Sequence, residues 1–165
     1  MELILKTIRI MLAYSDENAQ AKFAQSMQDL RVQLGALPGV EILPDWRHVV
    51  IGQNETVADA YSKVMVNIIA ADLMVVVYSQ AADDVAMETM YRCELCKPLR
   101  IFVHYKGSAS RMIEACLMNN RGKRKDVLDP KTVEMPDPIK YFSTEGIQRV
   151  VAEWVKEHQQ PETSV

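Results

Sequence analysis

At 165 residues the chain has room for one self-sufficient core, and 48% hydrophobic with 25% charged residues is the balance of a globular protein rather than a disordered or fibrous one. A net charge of -3 argues against a nucleic-acid partner or an anionic membrane surface, and no apolar run approaches the ~20 residues of a membrane span. The start lacks a signal peptide's long apolar core and cleavage site, and the odd count of three cysteines fits a reduced, cytoplasmic protein.

Thr7 to Tyr14 (TIRIMLAY) is mostly apolar and reads as a buried central strand. Ser15 or Asp16 can cap the next helix, on which Phe23, Met27, Leu30 and Leu34 fall on one face. Gly35 and Pro38-Gly39 end that helix, and Val40 to Leu43 make a short second strand. The segment from Pro44 to Asn54 has no clear period, and reads as a loop over the carboxyl edge of the sheet whose Trp46-Arg47-His48 can lid a pocket. Asn54 or Thr56 can start the second helix, with Val57, Tyr61, Val64 (or Met65) and Ile68 as its apolar face.

The β-branched run Leu73 to Tyr78 is the third strand; a helix carrying Glu88 in its opening turns follows, then a strand from Leu99 to His104. Ser108 or Ser110 caps a further helix bearing Met112, Ile113, Cys116 and Leu117. Arg121 to Pro130 reads as a charged, solvated loop, and Lys131 to Met135 as a fifth, edge strand. The last helix presents Ile147, Val150, Val151, Trp154 and Val155 on one face. The whole is expected to be one domain over residues 1–158, with a frayed polar tail at 159–165.

Strands alternating with helices across short connections predict a three-layer α/β sandwich around a five-stranded, mostly parallel sheet, flavodoxin-like or Rossmann-like in order. Ligands of such sheets bind at the carboxyl ends of the strands. Glu88 follows the third strand there, near a helix N-terminus whose dipole favours the ionised form, so it is the leading candidate for chemistry. Asp83 and Asp84 sit where helix caps sit. An acidic pair is missing after the first strand, which excludes a phosphoacceptor receiver, and no glycine-rich phosphate or dinucleotide loop follows any strand. Cys93 and Cys96 lack a second Cys/His pair and read as packing residues, so neither a metal nor a cofactor is expected.

Asp72-Leu-Met-Val-Val-Val-Tyr78, then Asp84-Val-Ala-Met-Glu88, then Lys97 resembles the nucleoside 2-deoxyribosyltransferase family and its nucleotide-hydrolysing relatives. The likeness spans roughly residues 7 to 120. Leu12-Ala13-Tyr14-Ser15-Asp16 looks like the family's first substrate loop, and Ser110-Arg-Met-Ile113 like the helix start that reaches a neighbouring subunit's site. The resemblance implies cleavage or transfer at the N-glycosidic bond of a nucleoside or nucleotide, with Glu88 as nucleophile and a glycosyl ester as intermediate. Tyr14, Ser15, Asp45, Ser79, Asp84 and Ser110 are the substrate-binding candidates that accompany it. It also implies a homodimer or higher homo-oligomer with shared sites.

Two positions depart from the family pattern. Relatives carry an Asp eight residues before the position of Asp72, where this chain has Val64, so the partner carboxylate is either missing or moved to Asp83, Asp84 or Asp45. The first loop lacks the glycine and arginine that cradle a 5′-phosphate, so nucleosides are expected to be preferred unless Lys106, Ser108 or Ser110 supply donors. A more distant likeness to TIR-like domains, which cleave NAD or pair with one another, rests on Arg9 to Asp16 (RIMLAYSD), Gly52 and the strand ending in Ser79. A non-catalytic nucleotide-binding domain is the third reading.

Overall fold

The computed structural model describes residues 6–14, 21–79, 83–95, 97–109, 113 and 137–159. In chain order these form β1 (Ile8–Tyr14), α1 (Ala21–Gly35), β2 (Val40–Ile42), α2 (Val57–Ala70), β3 (Leu73–Tyr78), α3 (Asp83–Glu94), β4 (Leu99–His104), β5 (Ile139–Tyr141) and α4 (Thr144–Gln159). The strands make one five-stranded sheet in the order β2-β1-β3-β4-β5, and every pair is parallel. The described fifth strand is Ile139–Tyr141, just after Pro138; the expected strand at Lys131 to Met135 lies outside the described residues.

Alternation along β1 sorts the core into two layers. Ile8, Ile10, Leu12 and Tyr14 face α1 and α4, while Met11 and Ala13 face α2 and α3. The central strand β3 is buried along its whole length, which is why it reads as an unbroken apolar run. Met27, Leu30 and Leu34 of α1 meet Ile147, Val151, Trp154 and Val155 of α4 on one face. Each such buried side chain contributes about 1.5–3 kcal/mol of transfer free energy.

The ends of α2 are closed by side chains. Thr56 is its N-cap and forms a capping box with Asp59: the Thr56 hydroxyl oxygen accepts from the Asp59 amide, and the Asp59 carboxylate accepts from the Thr56 amide. At the other end Arg92, fully buried on α3, donates to the carbonyls of Ile68, Ala71, Asp72 and Pro98. Lys97 Nζ donates to the Ile69 carbonyl. These cations satisfy carbonyls that a helix end leaves unpaired.

Some expected faces are rotated. Of the expected α2 face Val64 and Ile68 are buried, but Val57 and Tyr61 are exposed and Ala60 takes their place, because a stripe three or four residues wide admits only one phase against the sheet. Val150 is likewise at the edge of α4's buried face. Gln159 belongs to α4 rather than to a tail: its side-chain amide donates to the Pro38 carbonyl at 2.8 Å.

Candidate functional site

Chain connections leave β1 and β3 toward opposite faces of the sheet, so the strand order reverses between these two neighbours and a crevice opens at their carboxyl ends. A cleft of about 400 Å³ lies there, lined by Ala13, Tyr14, Asp45, Trp46, Arg47, Asp84, Val85 and Glu88. That volume suits a small organic ligand.

Helix α3 is seated by Val85, Ala86, Thr89 and Arg92, all buried. The Thr89 hydroxyl donates to the Val85 carbonyl at 2.6 Å, and Arg92 anchors the last turn at the amino edge of the sheet. Glu88 stands one turn before Arg92 and faces the cleft at 8% exposure. Asp84 is exposed at the rim, where its Oδ1 accepts from the Val85 amide at 2.8 Å. Asp84 thus lies inside the first turn of α3, bonded to the next residue's amide and not in the position of a cap, and it also lines the cleft.

The roof comes from the aperiodic segment after β2. Asp45 is 3% exposed; its Oδ1 accepts from the Arg47 amide at 2.9 Å and from His48 Nδ1 at 2.5 Å. The second oxygen, Oδ2, is buried without a hydrogen-bond partner and lies 3.8 Å from Arg47 Nη1. Arg47 Nη1 donates to the Tyr14 carbonyl at 3.2 Å, and its guanidinium carbon sits 4.2 Å from the Tyr14 ring centre. Tyr14 Oη accepts from Gln28 Nε2 at 2.7 Å, so one ring face and the hydroxyl are already engaged. Trp46 packs tilted against Tyr61, ring centres 5.9 Å apart, and its indole favours the charged form of Glu88.

Glu88 is held up to about pKa 7, first by burial and then by the negative charge of Asp84, with Asp45 adding to it; Trp46 and Arg47 pull the other way and lose. The dipole of α3 was expected to keep this carboxyl ionised. Desolvation is the larger effect, so at neutrality the group is divided between acid and anion.

Four sequence candidates, Tyr14, Asp45, Asp84 and Glu88, thus share one cleft. Ser79 does not join them and lines a separate cavity on the α1/α4 side. Ser15 and Ser110 lie outside the described residues. Val64, at the position of the relatives' Asp, is sealed in the core with no exposure. Arg92 was not anticipated; the signal was its position seven residues after Val85, on the buried face of α3. Among the described residues no group of three His, Cys, Asp or Glu side chains is placed to hold a metal ion, and no helix is long and apolar enough to cross a membrane. No protein-family model matches the sequence, and no curated protein matches it.

Proposed function

We propose that this protein cleaves or transfers at the N-glycosidic bond of a nucleoside or nucleotide, with Glu88 as nucleophile. The observation that carries the reading is Glu88, buried in the cleft at the β1–β3 crevice with Asp84 and Asp45 beside it. In the proposed step a Glu88 oxygen bonds to C1′ as the C1′–N bond breaks. The electron pair leaves with the base, which takes up a proton, and water or a second base then displaces the glutamyl ester. Asp84, open to solvent at the rim, is the acid best placed to relay that proton; Asp45, pinned by Arg47 and His48, holds the roof.

The burial of Val64 favours a second reading, a nucleotide-binding domain without turnover, because the relatives' helix carboxylate has no counterpart on α2 facing the cleft. Incubation with deoxynucleosides, ribonucleosides, nucleoside monophosphates and NAD, followed by chromatography for free base, separates these readings. Base release that Glu88→Gln abolishes supports the first. Binding without release supports the second, and release from NAD alone selects the TIR-like alternative.

The same proposal carries a cytoplasmic homo-oligomer with shared sites. Val50, Val57, Tyr61 and Val66 are exposed along α2 and its preceding loop and supply apolar surface for such an assembly. Sedimentation at micromolar concentration tests it, and a monomer of 18.7 kDa rejects it.

A further inference from the structure

The charges of the Glu88 cleft balance in its roof and not on α3. In the roof, Asp45 accepts from His48 Nδ1 at 2.5 Å and lies 3.8 Å from Arg47 Nη1, while the guanidinium covers the Tyr14 ring. On α3, Asp84 and Glu88 both line the cleft and stand four residues apart, the helical spacing at which like charges repel. Among the described residues neither of these two carboxyls forms a salt bridge.

Glu88 gives that imbalance a consequence, because it is 8% exposed and lines the cleft. A carboxylate so deeply buried ordinarily has a cation beside it. Here burial and the like charge of Asp84 hold it up to about pKa 7 instead. A positive charge entering the cleft is attracted to both α3 carboxyls and ionises the nucleophile as it arrives. Trp46 lines the same space at 36% exposure, and indole is the ring on which cations bind best.

The charge of the leaving group also decides which protons the reaction needs. A neutral base takes the electron pair of the breaking C1′–N bond and must gain a proton. A base that already carries a positive charge takes the same pair and departs neutral, with no proton transferred. The Glu88 oxygen still bonds to C1′, water then displaces the ester, and the surplus proton of that water goes to solvent. For such a substrate the relay through Asp84 is unnecessary, and Asp84 acts through its charge alone.

We propose that the Glu88 cleft selects N-glycosides whose base is already a cation, such as a purine alkylated at N7, over neutral nucleosides; the inference rests on the N-glycosidic reading above. The test offers the full chain guanosine, N1-methylguanosine and N7-methylguanosine in slightly acidic buffer, where only the last is a cation. Chromatography reads base release, and isothermal titration reads binding where release is absent. N7-methylguanosine should be used with a kcat/KM at least about tenfold above both neutral nucleosides, and Asp84→Asn should shrink that ratio several-fold. An undiminished ratio in Asp84→Asn would assign the preference to the lability of the alkylated base and overturn the inference. Equal or faster release from guanosine would also overturn it while leaving the N-glycosidic reading standing. No release from any nucleoside, with the cation bound about tenfold more tightly than the neutral pair, would uphold the selection and reject turnover. Neither binding nor release would sink both.

Discussion

Arg47 bridges to Tyr14 by two contacts at once, its guanidinium carbon 4.2 Å from the ring centre and its Nη1 3.2 Å from the backbone carbonyl. This bridge ties the roof segment to the end of β1 and sets a positive charge in the Glu88 cleft. Arg47→Met, which removes the charge and keeps most of the packing, should therefore raise the pKa of Glu88, since Arg47 lowers it against the larger effect of burial. Carbon-13 NMR titration of the labelled glutamate carboxyl reads this directly, and a midpoint that stays put or falls refutes the coupling.

Glu88→Gln separates function from stability. Base release should drop about 10³-fold or more, because the amide is not a nucleophile. The fold should become more stable at neutral pH. Burial raises the folded pKa of Glu88 to about 7 from 4.5, so the folded protein binds this proton more tightly than the unfolded chain. The favourable contribution is complete below the unfolded pKa and is lost as pH rises through the folded one. At pH 8 the substitution should add on the order of 2–3 kcal/mol, and near pH 4 almost nothing. Urea unfolding at the two pH values measures the difference, and equal gains at both would contradict it.

The pH profile of turnover tests the role rather than the importance of Glu88. A nucleophile must be ionised, so kcat/KM should rise with pH through about 7 in the free enzyme. A group acting as a proton donor gives the opposite slope. A profile that falls across this range would reassign Glu88 as the acid and leave the nucleophile to be found.

Arg92 serves the fold and not the cleft. It is fully buried, burial lowers its pKa to about 10, and its guanidinium holds four carbonyls from the end of α2 and the starts of β3 and β4. Arg92→Leu fills similar space but strands those acceptors, and should cost about 2–4 kcal/mol. Chemical denaturation should show a lower midpoint at similar slope. A loss under about 0.5 kcal/mol would mean that water or neighbouring donors replace the guanidinium.

Much of the architecture was legible because its signals are local. The apolar runs at Leu73–Tyr78 and Leu99–His104 are strands with those bounds, and the spacing of Met27, Leu30 and Leu34 marks the buried face of α1. Alternation of strand and helix was enough to imply a parallel sheet, and with it the edge where Glu88 stands. The tertiary structure alone decided what surrounds that carboxylate. Asp45, Trp46 and Arg47 come from a segment with no period of its own, placed by partners distant in sequence: Arg47 reaches Tyr14, and Asn67 Nδ2 holds the Pro44 carbonyl at 2.8 Å. Ser79 and Glu88 follow the same strand, yet they line different cavities. The protonation of Glu88 depends on burial and on charges from two segments, its own helix and the roof, quantities that no spacing along one chain encodes.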